Sequence, residues 1–256
     1  MRPFSLPGIA ALMLAAGIAG AAGDAIVVGA FSSARPGGAL PPDWEPLLVR
    51  GVERRTVYAL VESQGATVLR AEARASASGL VRRLRATVEK TPLLKWRWKV
   101  ANVLGRSDIR RKAGDDFPAR VYVLFDYPVS RLSFAERAGL LVARALDGGD
   151  VPAATLCYVW DGGAPAGTIF PSAYTRRVRM IVVESGAARV GRWVTVERDV
   201  AADFRAAFGE EAPPIAGIAI AADTDNTGES AVAWFGDISL HPRPEATAGS
   251  EPTGVN

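Results

Sequence analysis

The chain predicts an all-β fold, a two-sheet jelly-roll-like β-sandwich with two short helices, and three observations carry that reading. Apolar and charged residues alternate in many short runs, the period of strands with one wet face. Turn residues punctuate those runs at short intervals. Only two stretches carry helix start and stop signals. Strands and helices therefore do not alternate as in a doubly wound α/β fold, and no internal repeat points to a propeller or solenoid.

Residues 1–21 read as a secretory signal peptide. Met1 and Arg2 give a basic start, residues 9–18 are apolar and uncharged, and Ala19, Gly20 and Ala21 form a small-residue exit. That apolar run is too short for a transmembrane span, and no cysteine follows it to carry a lipid. The mature chain is expected to begin near Ala22 and to be a soluble periplasmic or secreted protein rather than an integral membrane protein. Residues 22–241 are expected to form one sandwich domain, and 242–256, with few apolar side chains, a disordered tail.

Residues 29–46, rich in Gly, Pro and Ser, predict a loop with one short strand at Phe31. Leu69, Ala71, Ala73 and Ala75 alternate with Arg70, Glu72 and Arg74, and Leu80, Leu84, Ala86 and Val88 continue the pattern with Arg82 as the one charge on the apolar side. Trp96, Trp98 and Val100 share a face opposite Arg97 and Lys99. Residues 120–125 are nearly all apolar, as in a central strand covered on both sides. Ser133 and Glu136 make a capping box for a helix that runs past Leu140 and Leu141 toward Gly148 and Gly149. A second helix, over 200–208, has Asp199 as N-cap and Gly209 after its end. Further strands are predicted at 156–160, 178–184, 193–197, 215–221 and 231–240.

Several chemistries find no residues here. The single cysteine, Cys157, sits in an apolar run and can form no internal disulfide. The single histidine, His241, lies at the edge of the tail, which leaves neither a Ser-His-Asp triad nor a histidine metal site in the domain. No Gly-rich phosphate loop is present, and the basic pairs are scattered over a net charge of only +3, so no nucleic-acid partner is expected.

Three clusters remain. Asp223, Asp225, Thr227 and Gly228 open like a calcium loop, but position twelve is Trp234 rather than Glu. The choice is between a looser structural calcium turn completed by Asp237 and a hairpin capped by its own side chains; no other cofactor is expected. The second cluster is Asp115 and Asp116 before Arg120 and Tyr122, two residues on one face of a strand. It fits a ligand site or a buried pin in which Asp116, near in sequence, neutralises Arg120. The third joins Tyr174 and Arg176 with Glu184, a mix suited to sugars or acidic groups and equally to an ordinary loop. Most of the six tryptophans alternate with polar residues and are expected in the core.

The segments Leu94-Lys95-Trp96-Arg97-Trp98-Lys99-Val100, Gly114-Asp115-Asp116-Phe117-Pro118-Ala119-Arg120-Val121-Tyr122-Val123, Tyr158-Val159-Trp160-Asp161, Val183-Glu184-Ser185-Gly186, and Asp223-Thr224-Asp225-Asn226-Thr227-Gly228 with Gly236-Asp237-Ile238 resemble the bacterial domain-of-unknown-function family 3047. The resemblance spans nearly the whole mature chain and implies no reaction and no catalytic residues. The functional expectation is a non-catalytic binding module for an envelope glycan or another polyhydroxylated or acidic ligand. Its alternatives are a carbohydrate-active enzyme using Asp115, Asp116 and Glu184, with Tyr122 or Tyr174 beside Arg120 in a lyase variant, and a structural envelope protein.

Overall fold

The structure, a computed structural model, describes residues 24–147 and 152–244. The expected signal peptide, the Gly148–Gly149 helix stop and residues 245–256 of the expected tail lie outside the described residues. In chain order the elements are β1 (Ile26–Gly29), β2 (Glu45–Leu48), β3 (Val57–Ser63), β4 (Ala66–Arg74), β5 (Ala77–Ala86), β6 (Leu93–Val100), β7 (Arg120–Phe125), α1 (Phe134–Asp147), β8 (Thr155–Asp161), β9 (Ile169–Pro171), β10 (Val178–Ser185), β11 (Val194–Asp199), α2 (Val200–Phe208), β12 (Ile215–Asp223) and β13 (Ser230–His241).

Two sheets form the sandwich. The first runs β11-β6-β13-β4-β3, with β1 added beside β13, and the second runs β2-β5-β12-β7-β8-β10-β9. The chain crosses between them repeatedly, so β4 and β6 flank β13 in one sheet while β5 and β7 flank β12 in the other. All neighbours are antiparallel except β8 and β10, whose parallel pairing carries residues 162–177 over the sheet edge before the chain returns. Among the described residues no helix is long and apolar enough to cross a membrane.

The alternation read in the sequence explains the core. Ala71, Ala73, Trp96, Trp98 and Phe235 from one sheet meet Val121, Val123, Tyr158, Trp160 and Ile220 from the other, all buried. Trp96 stacks on Tyr158 at 5.3 Å between ring centres, and Trp98 faces Trp160 at 6.1 Å. Such ring pairs add about 0.5–1.5 kcal/mol each beyond their buried area. Arg82, the charge on the apolar side, sends its guanidinium to the core's rim, where it donates to the Val28 carbonyl at 2.5 Å and meets Asp43 at 3.3 Å.

Both helices start where the sequence places them. Ser133 and Glu136 exchange capping hydrogen bonds, with Ser133 N and Oγ donating to Glu136 Oε2 at 3.0 and 2.7 Å. Leu140 is buried, whereas Phe134 and Leu141 are exposed. Asp199 accepts from Ala202 N at 3.0 Å, and Gly209 closes α2 at φ 76°, a left-handed conformation that glycine adopts without strain. Phe31, expected in a strand, instead sits in a single 3-10 turn and packs its buried ring against Trp44. Ser33 N donates to Ala30 O and Ala34 N to Phe31 O, local bonds that turn the chain where a strand would need a neighbour.

Candidate functional site

The outer face of the second sheet is not open at β7. Residues 101–119 fold over it, and a second apolar cluster of Ile109, Phe117, Cys157, Val159, Met180 and Val182 fills the space between. Alternation puts Arg120 and Tyr122 on this covered face, which is why a strand with a charge in it is apolar on both sides. Burial pushes the Cys157 thiol up to about 12, so it is a packing group and not a nucleophile. Burial also holds the Tyr122 phenol well above its ordinary range.

Arg120, only 4% exposed, is the centre of a polar pin. Its Nε donates to Asp223 Oδ1 at 2.9 Å, and its Nη2 lies 2.5 Å from both Asp223 Oδ2 and the Asp115 carbonyl. Nη1 reaches Asp115 Oδ1 at 3.3 Å, and the guanidinium lies over the Phe117 ring at 4.4 Å. The partner expected from proximity, Asp116, points elsewhere. It is fully buried and accepts from Asn226 N and Nδ2 at 3.3 and 3.1 Å and from Thr227 N at 2.6 Å. The acidic turn after β12 is thus fastened to the loop before β7 by two adjacent aspartates that face opposite ways along the chain. Tyr174 joins this group by donating to Asn226 Oδ1 at 2.9 Å, with Lys112 over its ring.

Carboxylate oxygens of Asp116, Asp223 and Asp225 lie within 4.8 Å of one another, a spacing that a hard cation can bridge. Asp116 and Asp223 already accept from amide and guanidinium donors. Burial raises Asp225, and the charge of Asp116 adds to that. Thr227 and Asp237 stand outside this triad: Thr227 Oγ1 accepts from Glu229 N, and Asp237 accepts from Ser32 N and Oγ at 2.9 and 2.5 Å. Of the remaining expected ligand residues, Glu184 accepts from Arg189 at 2.9 Å and Arg176 is exposed. Asp115, Asp116 and Arg120 therefore form one buried assembly with the partly buried Tyr122 beside it and Tyr174 at its border, and they do not line an open groove with Glu184.

The open space lies beside that assembly. A cleft of about 700 Å³ is bounded by residues 105–111, Ala113, Asp161 and residues 163–165. One wall is fixed by Glu229, which accepts from Gly105 N and Arg106 N, and by Asp108 N donating to Gly114 O at 2.8 Å. Hydrogen bonds from Arg110 N and the Arg111 guanidinium hold the Asp108 carboxyl below its usual range. On the other wall, Asp161 Oδ1 accepts from Gly163 N and Ala164 N at 2.7 and 2.5 Å and shapes the turn after β8. Asp161 is 4% exposed, yet its Oδ2 is buried with no hydrogen-bond partner. Arg110 lies over Phe170 at 5.4 Å and forms no close ion pair among the described residues, though its charge acts on the neighbouring Asp108 carboxyl. The sequence reading missed this cleft; Asp161-Gly162-Gly163 after a buried strand is the turn signature that marks one wall.

Fold and site together define a β-sandwich protein with a polar cleft on the covered face of one sheet. The chain belongs to the protein family of unknown function DUF3047, whose model matches residues 42–239. No curated protein matches it. Among solved structures, it is similar to a family 29 carbohydrate-binding module variant in complex with mannohexaose (12% identity, 85% of this chain and 90% of that one, TM-score 0.34). It is also similar to an exo-beta-agarase (11% identity, 87% and 25%, TM-score 0.37). A third is the glycoside hydrolase domain of Endo-D from Streptococcus pneumoniae R6 (13% identity, 77% and 21%, TM-score 0.30). None of these likenesses bears on ligand or activity.

Proposed function

We propose that the protein is an exported, non-catalytic binding module for an acidic, polyhydroxylated ligand such as an envelope glycan, and that it takes this ligand in the cleft between residues 105–113 and 161–165. The observation that carries the reading is Asp161, whose buried Oδ2 lacks a donor while the residue lines the cleft. A buried acceptor left without a partner costs about 1–3 kcal/mol, which a ligand hydroxyl would recover. Arg110, which forms no close ion pair among the described residues, supplies a planar donor for an acidic group, and Phe170 beneath it offers an apolar surface. The volume lies within the roughly 300–1,000 Å³ usual for small-ligand pockets. A glycosidic acid and base would need two accessible carboxylates, whereas Asp115 and Asp116 are buried in hydrogen bonds and Glu184 holds Arg189.

The test is a glycan array of neutral and acidic oligosaccharides probed with the native chain and with Asp161→Asn. That substitution keeps the acceptor that shapes the turn and replaces the unpartnered oxygen with an amide. Binding of acidic glycans that is weakened in the folded variant supports the reading; equal binding by both, or none by the native chain, overturns it. Export is tested separately by mass spectrometry of the envelope fraction. An N-terminus near Ala22 is expected, and intact Met1 in the cytoplasm would end that part of the proposal.

A further inference from the structure

Four of the six tryptophans, Trp44, Trp96, Trp98 and Trp160, are buried in the core, but Trp193 and Trp234 are only half-buried. They lie on the outer face of the other sheet. Register places Trp234 of β13 opposite Lys99 of β6 on one side and opposite Arg70 of β4 on the other. Trp193, one residue before β11, continues the same row beyond Lys99, since Val194 pairs with Trp98. Ring, ammonium, ring and guanidinium thus succeed one another across four strands, a row about 14 Å long at about 4.8 Å per strand. Lys99 Nζ is 5.2 Å from the centre of Trp193 and 4.4 Å from that of Trp234, and the Arg97 guanidinium is 4.8 Å from Trp193.

Two features give this face a ligand chemistry. Arg97 and Lys99 form no ion pair among the described residues; Lys99 meets only the Ser63 hydroxyl, at 3.3 Å. Gly236 keeps the face flat beside them, because a Cβ there would come within 2.5 Å of the Arg97 side chain. We infer that this row binds an anionic polysaccharide, with sugar rings against Trp193 and Trp234 and acid groups on Arg97 and Lys99. Glu72 and Glu197 share the face, where they accept from Arg70 and Lys95. Carboxylates can also accept sugar hydroxyls, and they repel a continuous phosphate backbone, so the face favours a sparsely charged glycan over a nucleic acid. The surface is separate from the Asp161 cleft, and its occupancy does not depend on the cleft reading.

Native affinity electrophoresis through alginate, a polyuronate, reads this directly. Retardation of the native chain is expected, with much less in neutral dextran gels. The Arg97→Gln/Lys99→Gln double variant, which removes no core contact, should weaken it at least about fivefold, the scale of one cation–ring contact. Trp234→Ala should weaken it as well. The inference fails if the native chain is not retarded, if the folded double variant runs like the native chain, or if a single-stranded oligonucleotide binds as tightly as alginate.

Discussion

Removing the Arg120 guanidinium leaves the Asp115 and Asp223 carboxylates without the cation they surround, in a place where Arg120 itself is 4% exposed. Stranding buried charge in this way costs roughly 3–5 kcal/mol. Arg120→Ala should therefore lower the unfolding free energy by that amount and the denaturation midpoint with it, and a midpoint unchanged from the native chain would show that the pin is not structural. Two carboxylates, Asp115 and Asp223, pair with this one guanidinium, and burial pushes Asp223 from 3.8 to about 7 against the pull of Arg120. Because the folded chain then holds a proton that the unfolded chain releases, stability from this group is full below pH 3.8 and is lost as pH rises through about 7. The difference in midpoint between the native chain and Asp223→Asn, followed from about pH 4 to about pH 8, should move against the native chain. A difference that moves in its favour would mean Arg120 outweighs burial.

The elements that were legible in the sequence are those whose two faces differ. β4, β5 and β6 alternate because one face meets the core and the other meets water, and α2 announced both ends through Asp199 and Gly209. β3 was missed because Val57 is 62% exposed on the outer face while Leu60 is buried on the inner one, which erases the alternation. β2 is exposed along its length and contains Pro46, and β9 has only three residues. The sequence leaves the Arg120 cluster open between a ligand site and a pin on Asp116, whereas the hydrogen bonds join Arg120 to Asp115 and to Asp223, 103 positions away, and nothing local distinguishes Asp223 from Asp116. The cleft was illegible for the same reason, since its walls come from two segments far apart in sequence that the pairing of β7 with β8 brings together. The wall at 105–114 makes its own prediction. A Cβ on Gly114 would stand 2.6 Å from Asp108 N and 2.9 Å from Asp108 Cβ, so Gly114→Ala must displace backbone. Overpacking of this kind costs about 1–3 kcal/mol; a variant with native stability and native cleft amides would show that the wall is slack.

At the scale of the molecule, the sandwich leaves its two outer faces with different work. One is covered at β7, β8 and β10 by residues 101–119 and carries the cleft, and the other carries the alternating tryptophans and cations. The long pairing of β13 with both β4 and β6, and of β12 with both β5 and β7, makes each face a rigid platform, so a ligand would meet side chains already in place. The central claim is that Asp161 and Arg110 receive an acidic, polyhydroxylated ligand. It is tested most directly by amide chemical shifts during titration with a galacturonic-acid oligosaccharide. The account predicts that the Gly163, Ala164 and Arg110 amides move together and saturate, and that they stay still in Asp161→Asn; shifts confined to other surfaces, or identical shifts in that variant, would contradict it.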